Sequence, residues 1–271
     1  MTSQIERTKQ FRALHAKGEL IVLPNAWDAA SARIAEDCGA KAIATSSASL
    51  AWAHGYADGE HLPIDLLLRA VEEIIRVVRV PVSVDCEAGF SDDPHAVAAL
   101  VSELIDLGAV GMNIEDGSKP AELLVRKIAA VRRRVAARNA DFFINARADV
   151  YLLKLTAPEK ALSETISRGK AYRDAGADGF FVPSLFDLGA LKEIADTIDL
   201  PLNVVTIAQG VPPLAELKRA GVRRVSAGSA TAKAAFGAMR RTTLAMLDGR
   251  FEPLFEEARG CPNMNTLMTR P

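Results

Sequence analysis

The sequence predicts a (β/α)8 barrel, a TIM-type α/β fold, as a single domain over residues 1–271, and three observations predict it. Eight short β-rich apolar runs recur along the chain, segments of helical periodicity separate them, and no Gly-rich turn follows the first run. Strict strand–helix alternation requires parallel pairing through right-handed crossovers. Eight such units close a barrel, whereas an open doubly wound sheet usually carries G-x-G-x-x-G after its first strand. Here that turn reads Pro24-Asn25-Ala26-Trp27-Asp28. The length of 271 residues suits a barrel but would also suit two average domains, so the alternation decides.

In chain order the predicted strands are 20–23, 42–45, 82–85, 111–115, 142–147, 179–182, 202–206 and 224–227. Several are apolar with little alternation, as strands covered on both faces should be. The predicted helices are 29–38, 66–78, 94–107, 121–134, 159–175, 188–197 and 214–220. Asp93 stands as an N-cap before the third of these, and the phrases Cys38-Gly39-Ala40, Leu107-Gly108-Ala109, Ala175-Gly176-Ala177 and Ala220-Gly221-Val222 mark ends where Gly supplies a left-handed turn. From Asp248 onward the sequence is less regular and reads as a tail, or as an arm onto a neighbouring subunit.

Charge and cysteine usage narrow the function. Lys plus Arg number 33 against 34 Asp plus Glu, so nothing favours nucleic acid as a partner. Arg132, Arg133 and Arg134 read as a solvated helix face. No run of about 18 apolar residues exists, so neither a membrane span nor a membrane partner is expected. Cys38, Cys86 and Cys261 form no C-x-x-C pair, which suits a reducing compartment; the expected location is the cytoplasm.

Barrel chemistry gathers where strands end. There the sequence places Ser46 and Ser47, Asp58 in the next loop, Asp85 and Glu87, Asn113, Glu115 and Asp116, Asn145, Arg147 and Asp149, and Asn203. Alternation puts Asp85 and Glu87 on one face with Cys86 opposite, and likewise pairs Asn113 with Glu115 and Asn145 with Arg147. Converging carboxylates repel, and a divalent cation or Arg147 would relieve them. The cluster offers oxygen and no His or Cys, which favours Mg²⁺, or Mn²⁺, over Zn²⁺. Single acids at strand ends are mostly helix caps or Arg partners; four on consecutive strand ends are harder to read that way.

Taken together these residues resemble the isocitrate lyase/phosphoenolpyruvate mutase superfamily. The stretch 23–33 resembles its LPGAYDALSAR-type opening, and 45–49 its TSGAS segment. Val84-Asp85-Cys86-Glu87-Ala88-Gly89-Phe90 resembles its metal motif, Asn113-Ile114-Glu115-Asp116 its [HN]-[IL]-E-D motif, and Asn145-Ala146-Arg147-Ala148-Asp149 its AR-T-D motif. The resemblance implies Mg²⁺ held directly by Asp85, with Asp58, Glu87 and Glu115 holding metal-bound waters. It implies that Ser46, Ser47 and Arg147 bind the carboxylate and oxyanion of a small 2-oxo or 2-hydroxy acid, with Asn113 and Asn203 as further substrate contacts. Asp58 and Arg147 would then be the catalytic side chains. It also implies a homodimer or homotetramer, often with the last helix exchanged between subunits.

Departures from the pattern limit the reaction. Glu87 stands where many members have Asp, Ser47 replaces a common Gly, and Ala148 a common Thr. The K-[KR]-C-G-H loop of the isocitrate and methylisocitrate lyases is absent: Gly117-Ser118-Lys119-Pro120 leads straight into a helix. The longest top-face loop is 47–62, with His54 and Trp52, and it is the better lid candidate. The expectation is a Mg²⁺-dependent C–C lyase or decarboxylase acting through an enolate. The alternatives are a P–C bond mutase or hydrolase, and a silent 2-oxo-acid binding protein.

Overall fold

The computed structural model describes residues 3–16, 18–207 and 209–269. Its strand segments are β1 (Ile21–Leu23), β2 (Asn25–Ala26), β3 (Ile43–Thr45), β4 (Val82–Asp85), β5 (Gly111–Glu115), β6 (Phe143–Arg147), β7 (Gly179–Phe181), β8 (Leu202–Val205) and β9 (Val222–Ser226). All pair in parallel, in the order β1-β9-β8-β7-β6-β5-β4-β3-β2. The first two segments are one stave divided at Pro24. Leu23 pairs with Ser226 on β9, while Asn25 pairs with Ala44 on β3. Pro24 has no N–H to continue the ladder, but its carbonyl accepts from Ala44 N at 3.2 Å. Pairing therefore passes from β9 to β3 through a single strand, and the sheet closes with the predicted eight staves.

Alternation along each strand builds two layers. Val84, Met112, Ile144, Ala146 and Val204 face outward and share one core with Leu104, Val131 and Leu191 of the surrounding helices. Each of these side chains except the small Ala146 contributes roughly 1.5–3 kcal/mol through burial. Cys86 lies in this outer layer, as expected. Facing inward at the lower end are Ile21, Leu23, Ala42, Ala44, Val110 and Phe143, plugged by Phe11. Above this apolar floor the inward positions turn polar at Asn113, Asn145 and Asn203 and then acidic.

The covering helices are α2 (Ala29–Asp37), α4 (Ile64–Val77), α5 (Pro94–Leu107), α6 (Ala121–Ala137), α7 (Pro158–Ala175), α8 (Leu188–Ile198) and α9 (Leu214–Arg219), close to the predicted spans. Asp93 caps α5 by accepting from His95 N at 2.9 Å, and Gly108 ends it at φ 98°. Three features differ from expectation. An unpredicted α1 (Gln4–Leu14) closes the lower end, with Phe11 edge-on to Phe143 at 5.3 Å. The segment expected as a loop after Ser46 begins as α3 (Ser47–Ala53). After α10 (Ala230–Leu247), the tail expected to be irregular holds α11 (Glu252–Ala258) and α12 (Met264–Thr269). α12 packs on this chain's own α2: Leu267 is buried and its carbonyl accepts from Arg33 Nε at 3.2 Å. No helix among the described residues is long and apolar enough to cross a membrane.

Candidate active site

Asp85 ends β4 and is held from both sides. Its N–H donates to Thr45 Oγ1 at 2.8 Å, and its Oδ2 accepts from Ser47 N at 3.0 Å. Ser47 opens α3, so this N–H is one of the unpaired donors every helix start presents. Ser46 caps the same helix and accepts from Ser49 Oγ at 3.0 Å. Both serines line the cavity above Asp85. Ser47, however, gives its backbone N–H to Asp85 rather than leaving it for a ligand.

Glu87 takes a left-handed backbone at φ 49°, a conformation that costs a non-glycine residue free energy and often marks a functional site. Its carboxylate accepts from Glu60 N, while Glu60 Oε1 accepts from Phe90 N. This reciprocal pair ties the segment after α3 to the turn after β4. The candidate lid is thus a short helix followed by a latched loop; His54 lies exposed at the C-cap of α3. Burial, with the charges of Asp58, Asp85 and Glu60, pushes Glu87 up to about 7. Asp58 stands at the cavity rim, raised by partial desolvation and by Asp85.

Arg147 ends β6 and already has partners. Nε and Nη2 grip Asp149 at 2.6 and 3.0 Å, and Nη1 meets Glu115 Oε2 at 2.6 Å. Phe181 lies under the guanidinium, 5.7 Å from its carbon to the ring centre. Two of its five N–H donors are hydrogen-bonded to Asp149, Nη1 is ion-paired with Glu115, and the side chain borders the cavity. Burial and the charges of Asp149, Asp85 and Glu87 push Glu115 up to about 8, against the pull of Arg147. Behind Arg147, the N–H of Asp149 donates to Asp116 Oδ1 at 2.9 Å. Asp116 Oδ2 in turn accepts from Arg168 Nη1 at 2.8 Å and Tyr172 Oη at 2.6 Å. Arg168 and Tyr172 lie on α7, and no local sequence signal marks them as partners of Asp116.

Asn113 lines the cavity, but Asn203 does not reach it. Asn203 is fully buried, and its Nδ2 donates to Val204 O at 2.7 Å and Ser226 Oγ at 3.3 Å. It accepts from Asn145 Nδ2 at 3.0 Å. In this structure Asn203, expected as a substrate contact, braces Asn145 instead of bordering the cavity.

The cavity encloses about 170 Å³ and is bounded by Ser46, Asp58, Asp85, Asn113, Arg147 and Phe181, among others. That is smaller than the ~300–1,000 Å³ of drug-sized sites and suits a small acid. Among the described residues, no three His, Cys, Asp or Glu side chains converge as a ready metal cage. Glu115 turns to Arg147 and Glu87 to the Glu60 N–H, while Asp85 and Asp58 keep carboxylate oxygen for an ion. One or two direct oxygen ligands with water completing the shell is the habit of Mg²⁺, so the residues fit that ion.

These acids give the metal-free protein a definite pH response. Glu87 and Glu115 rise from an ordinary 4.5 to about 7 and about 8, so the folded chain holds protons that the unfolded chain has released. Stability is then lost as pH rises through that window. Buried His15, pushed down to about 3 by burial and by Arg224, acts oppositely but only below its ordinary 6.5. Above about pH 6.5 His15 no longer opposes them, and the fall due to Glu87 and Glu115 continues toward about 8. The Tm of EDTA-treated protein is expected to fall across this interval, and the rise on adding Mg²⁺ to be larger at the alkaline end. A flat profile in EDTA would show that the acids do not crowd one another.

The match to a known family decides the relationship. A family model described as phosphoenolpyruvate phosphomutase matches residues 11–247. The chain belongs to this family. An uncharacterized protein of Mycobacterium tuberculosis is 38% identical over 90% of this chain and 91% of its own. The 2-methylisocitrate lyase of Escherichia coli is 30% identical over 76% of this chain and 72% of its own. Oxaloacetate acetylhydrolase, solved with its product oxalate, superposes with a TM-score of 0.80 at 25% identity, over 91% of this chain and 89% of its own. Phosphoenolpyruvate phosphomutase relatives thus include carbon–carbon lyases, in line with the resemblance of Asp85, Glu115 and Arg147 to the superfamily motifs.

Proposed function

We propose that this protein is a Mg²⁺-dependent enzyme, with Mn²⁺ as a substitute, that breaks a carbon–carbon bond in a small 2-oxo or 2-hydroxy acid. The observation that carries this reading is the small cavity bordered by both Asp85 and Arg147. Asp85 would hold the ion directly, and Asp58, Glu87 and Glu115 would hold it through water. A bound divalent ion supplies a Lewis acid that polarises the 2-oxo group and stabilises an enolate. Arg147 binds and orients the acid's carboxylate through its planar end, a geometry Lys cannot copy. Asp58, at the rim with a raised carboxyl, exchanges the proton with solvent. Phe181 and the roof formed by α3 limit water.

Two features favour C–C over P–C chemistry. Among the described residues bounding this cavity Arg147 is the one cation, and a phosphonate dianion wants more positive charge than that. The four-residue link 117–120 also leaves no room for the longer lyase loop, which points to chemistry using the ion, Arg147 and Asp58 alone. A panel of oxaloacetate, 2,3-dimethylmalate, 2-methylisocitrate and phosphonopyruvate with Mg²⁺, coupled to pyruvate detection, tests this. Turnover of one of the C–C substrates is expected. Turnover of phosphonopyruvate alone selects the P–C reading, and binding without turnover the silent one.

The protein is further proposed to act as a homodimer or homotetramer. Along α10 and α11, Met239, Leu247 and Phe255 are 68%, 80% and 66% exposed, a stripe too apolar to stay wet. A groove of about 710 Å³ lined by Val22, Trp27, Ala30 and Ile34 lies beside it, where the outer face of β1 has no covering helix. Sedimentation should give at least twice the chain mass, and Met239→Glu with Leu247→Glu should shift it toward the monomer. A wild-type monomer would reject the assembly.

A further inference from the structure

Among the described residues Arg224 is the largest fully buried side chain, 1% exposed, and no carboxylate pairs with it. Its Nε and Nη1 find no protein acceptor among them. Burial lowers the guanidinium only to about 10, so it remains charged at neutral pH. A cation buried without a carboxylate in contact costs stability, and cores often gain when such a group becomes apolar. Its one hydrogen bond shows what it does. Arg224 Nη2 donates to Asn113 Oδ1 at 3.1 Å, and Asn145 Nδ2 donates to the same oxygen at 2.9 Å. Gly179 makes room for this arrangement, since a Cβ there would stand 2.7 Å from Asn145 Oδ1. An arginine can only donate, so the Asn113 carbonyl must face down into the barrel. The Asn113 amide nitrogen then faces the cavity, with no protein acceptor among the described residues and without being a sealed orphan.

We infer that Arg224 is a positioning residue: it locks the Asn113 amide with its N–H₂ toward the cavity, making the floor a fixed donor for an oxygen of the bound acid. This deepens the small-acid reading and rests on it. The lock sets the polarity of the floor. A free Asn113 could turn its carbonyl upward and repel the same oxygen. His15, which faces Arg224 from below, is neutral at physiological pH and supplies no competing charge. Across the barrel Asp85 is the acid whose charge reaches Arg224.

The test separates the contact from the function. Arg224→Met should raise Tm above wild type, because an unpaired buried charge is gone, yet weaken oxalate binding to the Mg²⁺-loaded protein by about tenfold in calorimetry, the loss of one hydrogen bond. Arg224→Lys should recover part of that affinity. Asn113→Leu should lose about as much, and the double variant no more than either single one, about tenfold rather than about a hundredfold. Mg²⁺ alone should bind every variant at least as tightly as wild type. Independently of any ligand, Asn113→Asp should raise Tm with Arg224 present and lower it in the Arg224→Met background. Additive oxalate losses, or unchanged oxalate affinity in Arg224→Met, would overturn the positioning role. Absence of coupling in the Asn113→Asp pair would overturn the contact itself. Failure of wild type to bind oxalate sinks the small-acid reading and the positioning role with it, while the Tm pair still reports on the lock.

Discussion

Asp85→Ala is expected to remove Mg²⁺-dependent turnover by at least about 10³-fold, the equivalent of the several kcal/mol a Lewis-acid ion contributes. The same change should leave Tm unchanged or higher. The Asp85 carboxylate has one bond to the fold, from Ser47 N, while the backbone bond to Thr45 survives any substitution. Against that bond and the attraction of the Asp85 charge for Arg147 and Arg224 stands its upward push on Asp58, Glu87 and Glu115, which its removal relieves. Asp85→Asn isolates the charge, since it keeps an acceptor for Ser47 N. Both variants should lose the heat of Mg²⁺ binding in calorimetry. Mg²⁺ affinity within a few-fold of wild type would move the ion elsewhere and dissolve the proposed site.

Much of the site was legible because strand alternation is a two-residue rule that acts locally. It correctly set Asp85, Asn113, Glu115 and Arg147 on inward positions and Cys86 outward. What it could not show is how donors are shared once the strands meet. Arg147 reads from sequence as a free clamp, yet its guanidinium is already hydrogen-bonded to Asp149 and ion-paired with Glu115. Asn203 reads as a pocket residue for the same reason as Asn113, but it sits lower in the barrel and braces Asn145. Arg223 and Arg224 are adjacent on β9, and nothing in the local sequence says which faces in. The Glu60 latch on the turn after β4 joins residues about 30 positions apart through backbone N–H groups, which leave no mark on residue type. The same holds for Asp116, whose partners lie over 50 positions away on α7.

Arg147 carries the second large effect, and here stability and binding part company with substitution. Arg147→Met leaves the carboxylates of Asp149 and Glu115 buried without their cation. Breaking a buried pair from one side costs about 3–5 kcal/mol, which lowers Tm by roughly 10 °C in a chain of this size. The loss should be smaller at pH 6 than at pH 8.5, because Glu115 already favours its protonated form and can neutralise itself when the guanidinium is gone. Arg147→Lys behaves differently. An ammonium answers part of the charge, so most of the stability returns, but it cannot span both oxygens of Asp149, reach Glu115 and still present a planar end to the ligand. Oxalate affinity in that variant is expected to fall by about 100-fold, the worth of a lost bidentate charged contact, while Mg²⁺ affinity changes little. Calorimetry on the Lys variant with and without the ion reads both quantities. Full oxalate affinity in Arg147→Lys would mean that the Arg147 guanidinium does not hold the acid, and that its carboxylate is bound by Asn113 and the α3 start instead.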